Sequence, residues 1–334
     1  MVMLVPAVDL LFEAVASRGH VCVGLDTSAE YVPVSERSRA QNDAEAVLNF
    51  NKAVIDASFD AAACFKVQIA YYEEMGVAGL RTYSETLKYI HKKGGIVIAD
   101  IKRGDIADTA KRYVRAHFSG DFEADFVTIS PYMGMDSVEP WLSEAGARGK
   151  GAFVLMRTSN PGMRDFQFLG IRDSCSSSER DGNLQSLQTK TPIPDPSDCK
   201  SASPIPTRLY HIVGEKLSAL ANVNKGKHGY GLFGAVVGCT EREEAAEIRQ
   251  RYPGLFFLIP GYGAQGGAAA DAAVLLREGN GGIVNASRSI ITAWKNDGDN
   301  EKADNALAAE AAFKAAVKMR DDIRKELSKC AQLN

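Results

Sequence analysis

The sequence predicts a single (β/α)8 barrel, the TIM-barrel class of α/β fold. Three observations carry this. Eight short apolar runs recur along 334 residues, segments of helical periodicity separate most of them, and unusual polar residues stand where the runs end. Alternating strands and helices imply a parallel sheet. Eight repeats suggest a sheet closed on itself, and no G-x-G-x-x-G follows the first run to support an open dinucleotide fold. The length suits one α/β barrel carrying an insertion.

Taken in order, the chain opens on MVMLVPAVDLLFEAVASRG, which is apolar but carries Asp9 and Glu13 and has no basic leader. Leu10, Leu11, Ala14 and Val15 share one helical face, so this reads as a helix packed on the fold and not a signal peptide. The eight runs are 20–28, 62–70, 95–102, 126–134, 151–159, 233–240, 255–263 and 282–289. Several, such as IVIAD and GAFVLM, are nearly continuous in β-branched or aromatic residues, as strands buried on both faces are. Between them, Val47, Phe50, Val54 and Ala57 share a helical face, as do Leu80, Tyr83, Leu87 and Ile90.

Residues 171–206 break the pattern. They are rich in Ser and Asp and hold five of the twelve prolines, with few large apolar residues. Such a composition does not bury enough surface to offset its ordering entropy. The expectation is a disordered, mobile insertion between the fifth strand and a helix around 210–221. The tail, 303–327, reads as a charged amphipathic helix covering the barrel. One domain over 1–334 results.

Composition excludes several function classes. Hydrophobic residues at 45% and charged residues at 24% fit a soluble globular protein with a large core. A net charge of −3 gives no electrostatic footprint for nucleic acid. A small phosphorylated substrate needs only a local basic site, so weak acidity does not count against one. No stretch is long and apolar enough to span a membrane. The six cysteines form no C-x-x-C pair and the five histidines no H-x-x-x-H, so no metal site is expected. Cys22, Cys64 and Cys239 sit in apolar runs as small hydrophobes. Cys175 and Cys199 could pair in principle, but a reducing, cytoplasmic setting is the simpler reading.

The strongest local pattern is D-I-K-R-G-D-I-A-D-T at 100–109. Asp100 and Lys102 are two apart on a strand, so both side chains face one way. Asp105 follows a Gly-containing turn, and Asp105 and Thr109 share a face if a helix starts there. A lone D-x-K reads blandly as a solvated strand-end ion pair. Lys66 changes that weight, because in a barrel it would sit beside Asp100 across the strand ladder. Alternating opposite charges at short range keep both types ionised. Asp26, Lys66, Asp100, Lys102, Ser159, Gln265 and Arg288 cluster toward the ends of strands and in the loops after them, where barrel enzymes carry their chemistry.

With these residues in view, the chain resembles the orotidine 5′-phosphate decarboxylase family. The run at 100–109 looks like the family's D-x-K-x-x-D, and its Lys-Asp-Lys-Asp array maps onto Lys66, Asp100, Lys102 and Asp105. G-L-D-T-S at 24–28, F-K-V-Q at 65–68, S-P-Y-M-G at 130–134, R-T-S-N-P-G at 157–162, P-G-Y-G-A-Q-G-G at 260–267 and N-A-S-R-S-I at 285–290 resemble further family segments in order. The R-T-S-N-P-G and G-A-Q-G-G forms look like the family's longer branch. Only 171–206 and the termini fall outside the likeness.

The resemblance implies a cofactor-free conversion of orotidine 5′-phosphate to UMP and CO2, within pyrimidine biosynthesis. Lys102 would stabilise and protonate a carbanion at C6, with Asp100 and Asp105 holding it charged and aimed. Asp26 would contact ribose, Lys66 would bond Asp100 and ribose, and Gln68 would lie near ribose or base. Thr158, Ser159 and Pro161 would meet the pyrimidine. Gln265, Gly266, Gly267, Ser287 and Arg288 would surround the phosphate, where barrels commonly bind one. Asp105, Ile106 and Thr109 would reach a neighbouring subunit's site, implying a homodimer. Association with orotate phosphoribosyltransferase is a further implied possibility.

Two rival readings share the pattern. One is a metal-dependent sugar-phosphate decarboxylase or aldolase-type synthase on the same scaffold. It wants a metal-binding carboxylate where this chain has Lys66, and a lysine repels Mg²⁺. The other is a catalytically silent nucleotide-binding barrel, which four partly buried charges make costly. Elsewhere Tyr71 and Tyr72 read as packing, Met133 and Met135 as lining of the barrel mouth, and His91 and His117 as surface helix positions.

Overall fold

The computed structural model describes residues 5–171, 207–263, 266–296 and 303–332. The strands are β1 (Val21–Gly24), β2 (Cys64–Gln68), β3 (Val97–Arg103), β4 (Phe126–Ile129), β5 (Gly151–Arg157), β6 (Gly170–Ile171), β7 (Thr207–Arg208), β8 (Phe233–Val237), β9 (Phe257–Ile259) and β10 (Gly282–Ala286). Eight of them close a parallel barrel in the order β1-β2-β3-β4-β5-β8-β9-β10, with β10 returning to β1. The expected fold class is therefore observed. Each barrel strand is shorter than its apolar run, and all but β3 end before the run does.

Side chains alternate between the barrel interior and the helix layer. Phe65 points outward and meets Phe59 at 6.3 Å between ring centroids. Phe126 and Phe153 meet each other at 5.1 Å. Helices Asp43–Ser58 and Gly76–Lys92 bury the faces read from sequence, including Val47, Phe50, Val54, Tyr83, Leu87 and Ile90. Asn42 caps the first of these by accepting from the Glu45 amide.

Helix Ala7–Arg18 lies across the N-terminal end of the barrel. The Asp9 carboxylate accepts from the Lys227 and His228 amides, and Ala7 donates its amide proton to Gly149. Arg18 donates to the Phe59 and Ala63 carbonyls, and Asn280 to Phe12. All these partners precede barrel strands. The long helix Asn305–Gln332 packs on Asp43–Ser58.

Two sequence readings change. The insertion's boundary is structured: Gly170 pairs with Arg208 and Ile171 with Thr207 in a two-residue antiparallel ladder. The rest of the expected insertion, 172–206 with Cys175 and Cys199, lies outside the described residues. His117 is buried, not superficial, because the last turn of helix Ala107–Phe118 folds under Phe122, whose ring stacks on it at 6.1 Å. His91 is half-buried and pairs with Asp125 at 3.0 Å.

Candidate active site

A cavity of about 420 Å³ opens at the C-terminal end of the strands. Its size suits a nucleotide-sized ligand. It has two unlike walls. Asp26, Lys66, Asp100, Lys102 and Thr128 form a charged half from the region of β1 to β4. Leu155, Val236, Leu258 and Pro260, from β5, β8 and β9, form an apolar half.

The charged half is one connected chain. Lys66 Nζ lies 3.0 Å from Asp26 Oδ1 and 2.8 Å from Asp100 Oδ2. Lys102 Nζ lies 2.7 Å from the other oxygen of Asp100. Ser287 donates to Asp26 Oδ2 at 2.8 Å, closing the chain across the seam between β1 and β10. Gly24 makes this possible, since a Cβ there would stand 1.9 Å from Ser287 Oγ.

Burial makes these charges interdependent. Lys66 is buried mid-strand and its ladder partner is Ile98, not Asp100, whose partner is Gln68. The lysine reaches Asp100 diagonally, two residues up the ladder, which its four-carbon stem allows. Burial disfavours its ammonium, but Asp100 and Asp26 outweigh that and raise its pKa. Burial likewise opposes the Asp100 carboxylate, yet Lys66 and Lys102 overcome it and hold the carboxyl well below its ordinary range. The Lys102 side chain is 48% exposed, against 8% for Asp100. Its ammonium is thus the charge in the chain most open to the cavity.

Asp100 and Lys102 do not face one way for the reason the two-residue spacing suggests. Lys102 has φ of +43°, in the left-handed region, and the β3–β4 register shifts between Ala99 and Arg103. The lysine is turned toward Asp100 by a bulge and not by regular pleating. Non-glycine residues in that region cost energy and gather at functional sites.

Asp105 does not join Lys66, Asp100 and Lys102 within one chain; the second carboxylate that does is Asp26. The turn at 104–106 leads away into helix Ala107–Phe118, and the Asp105 carboxylate accepts from the Ile106 amide at 2.9 Å. Asp105, Ile106 and Thr109 do not line the cavity, and Ile106 and Thr109 are exposed.

Gln68, Thr158, Ser159, Ser287 and Arg288 line the cavity, whereas Pro161 is exposed and does not. Thr158 is fixed by Gln167, which accepts from its amide and donates to its hydroxyl, both at 2.9 Å. The Arg288 guanidinium makes no hydrogen bond or ion pair with another described residue. Gln265 lies outside the described residues. Gly266 and Gly267 do not line the cavity, and their amides bond to the Gly263 and Gly261 carbonyls, because the tight turn satisfies its own donors. Gly261 and Tyr262, just before them, do line it.

Several lining residues were missed in the sequence. Tyr71 packs against the core as expected but also faces the cavity, and burial and Asp26 raise its hydroxyl's pKa. Tyr72 does pack, donating to the Leu25 carbonyl at 3.1 Å. Tyr31, Asn160 and Asn285 also line the cavity; the two asparagines lie within quoted motifs, and Tyr31 lies outside them. Met133 is exposed and does not line it. Among the described residues no group of three His, Cys, Asp or Glu is placed to hold a metal ion.

Comparison with known proteins gives a consistent result. Residues 19–183 match the model of the orotidine 5′-phosphate decarboxylase / HUMPS family. A relative from Clostridium perfringens (strain SM101 / Type A), an orotidine 5′-phosphate decarboxylase, is 48% identical over 96% of this chain and 99% of its own. Leishmania donovani OMP decarboxylase is 30% identical with a TM-score of 0.65, covering 95% of this chain and 99% of that one. Leishmania donovani UMP synthase is 31% identical with a TM-score of 0.66, covering 95% of this chain but 57% of that one. Likeness of this extent, along nearly the whole chain, places it among carboxy-lyases: the chain belongs to the orotidine 5′-phosphate decarboxylase family.

Proposed function

We propose that the chain decarboxylates orotidine 5′-phosphate to UMP by stabilising and protonating a C6 carbanion at Lys102, without a cofactor, as a step of pyrimidine biosynthesis. The observation that carries this is the Asp26–Lys66–Asp100–Lys102 chain of ion pairs facing an apolar wall. Breaking the bond from C6 to the carboxylate leaves its electron pair on C6, where no π system accepts it. Most decarboxylases rely on a cofactor as electron sink. Here a fixed ammonium beside C6 would stabilise the pair and then donate its proton to C6. The resulting amine regains a proton from solvent. Asp100 holds that ammonium in place, and it would also crowd the departing carboxylate.

The other roles follow the resemblance to the family. Asp26 and Lys66 would meet ribose, with Gln68 near ribose or base. Thr158 and Ser159 would bond the pyrimidine, with Pro161 shaping their loop. Arg288 would take the phosphate, with Ser287, Gln265, Gly266 and Gly267 around it. Phosphate binding remote from C6 can be expressed as chemical rate, because it orients and desolvates the reacting end. Asp105, Ile106 and Thr109, turned away from their own cavity, would complete the site of a second copy in a homodimer. Orotate phosphoribosyltransferase is the partner enzyme we would look for. Leishmania donovani UMP synthase, of which this chain matches 57%, has room for a further unit. The cytoplasm is the expected compartment.

The family description also includes the HUMPS branch. Lys66 argues against a metal-dependent reaction here, since its ammonium already occupies oxygens of both Asp26 and Asp100. The test is to mix purified protein with orotidine 5′-phosphate, in EDTA and without added metal or cofactor, and follow the pyrimidine absorbance. Conversion to UMP supports the reading. No conversion in a folded protein that binds UMP would leave a binding module.

A further inference from the structure

We infer that Thr128 is a positioning residue for the decarboxylation, setting both the bulge that turns Lys102 and the charge state of Asp100. This rests on the function proposed above and adds to it a residue outside the charged array.

Thr128 is the third residue of β4 and only 1% exposed. Ala99 pairs with Val127 and Arg103 with Ile129. Three residues of β3, Asp100 to Lys102, therefore stand against Thr128 alone. In a regular ladder consecutive amides point to opposite neighbouring strands. Instead the Ile101 and Lys102 amides both donate to Thr128 Oγ1, each at 3.0 Å. The hydroxyl in turn donates to Asp100 Oδ1 at 2.8 Å. That same oxygen accepts from Lys102 Nζ at 2.7 Å.

A hydroxyl has one proton and two lone pairs. Both lone pairs of Thr128 are filled by amides, which can only donate. Its one proton must go to Asp100, which must then accept. Asp100 Oδ1 accepts from Thr128 and Lys102 while Oδ2 accepts from Lys66, so all three donors require the carboxylate form. One hydroxyl thus fixes the left-handed turn at Lys102, satisfies two buried or half-buried amides, and adds a donor to Asp100. Valine has nearly the same shape and can do none of this. Serine can do all of it.

The test compares Thr128→Val and Thr128→Ser with wild type for kcat, KM, the pH dependence of kcat and UMP affinity. In Thr128→Val the ammonium of Lys102 is no longer aimed, and misplacement of about 1 Å costs on the order of 100-fold in rate. We expect kcat to fall by about that factor while UMP affinity stays within roughly threefold, since Arg288 and the apolar wall are untouched. The acid limb of the kcat profile should move to higher pH as Asp100 loses a donor. Thr128→Ser should restore kcat to within about threefold of wild type, because it keeps the three hydrogen bonds. If Thr128→Val does not fold, Thr128→Cys serves, since a thiol is nearly isosteric but a poor donor and acceptor. A wild-type kcat in the valine or cysteine variant overturns the inference and leaves the activity standing. Equal loss in the serine and valine variants also overturns it, as would a matching loss of UMP affinity. Absence of turnover in the wild type would instead refute the proposed function.

Discussion

Lys66 and Asp100 form an ion pair of 2.8 Å in which the two side chains are 5% and 8% exposed. An ammonium so buried is stable only because two carboxylates share it, and those carboxylates depend on it equally. Removing one partner of a buried pair leaves an uncompensated charge and costs about 3–5 kcal/mol. Lys66→Met should therefore lower unfolding stability by an amount in that range and abolish turnover. Urea denaturation reads the first effect, and a loss below about 1 kcal/mol would show that solvent reaches the pair.

Lys102 should behave differently, because its side chain is half exposed. We expect Lys102→Ala to change stability by under about 1 kcal/mol, as pairs open to solvent do. Turnover should fall by roughly 10⁴-fold or more, the upper range for loss of a general acid that also stabilises charge. Isothermal titration with UMP should still find binding. Residual turnover near the wild-type rate would move the proton donor elsewhere.

Arg288 offers a cation to the cavity that no described neighbour claims. A charge-assisted hydrogen bond contributes about 1.5–3 kcal/mol. Arg288→Ala should reduce kcat/KM by roughly 10- to 100-fold, a loss of that size in free energy. The same variant should bind uridine as wild type does while binding UMP more weakly. Equal weakening of both would place the phosphate away from Arg288.

Asp105 tests the dimer. A mixture of Asp105→Asn and Lys102→Ala chains, each inactive alone, forms hybrid dimers in which one site carries both changes and the other neither. Random reassortment should recover about a quarter of wild-type activity, given a two-fold dimer with shared sites. Activity that stays at the level of the separate variants would confine Asp105 to its own chain.

Acid sensitivity has a source outside the cavity. Burial pushes His20 down to about 4, helped by Arg324 and opposed by the Gly279 carbonyl. Burial and Arg103 push His117 down to about 4 as well. Between pH 4 and the ordinary histidine value of 6.5 the unfolded chain binds protons on both rings that the folded chain refuses. Stability is therefore complete above that window and falls as pH drops through it, by at most about 1.4 kcal/mol per pH unit per ring. Asp100 acts lower, losing its contribution only as pH falls below the ordinary carboxylate range. Chemical denaturation at pH 7 and pH 4.5 checks this; equal midpoints would mean both rings charge within the fold.

Much of the site could be read from residue spacing, and the rest depended on closure. Lys66, Asp100 and Lys102 each stand within or at the end of an apolar run, where a charge is unusual. Thr128 gave no such sign, because a threonine inside F-V-T-I reads as an ordinary strand residue. Its importance comes from a register shift on the neighbouring strand, which spacing within one strand does not encode. Ser287 reaches Asp26 across 261 positions, a contact that exists only once the last strand meets the first. Asp105 is the reverse case: it sits in the motif, but the turn after Arg103 carries it off the mouth of its own chain.

The helix Ala7–Arg18 ties together loops that enter β2, β5, β8 and β10 from below. Among the described residues, its hydrogen bonds reach none of the groups that line the cavity. A share of the resistance to unfolding thus resides at the pole opposite the reaction, apart from what the buried Lys66–Asp100 pair contributes at the mouth. Selection can tighten the floor without disturbing the mouth, and damage to the floor would surface as a lower melting temperature in an enzyme whose surviving copies still turn over at full speed.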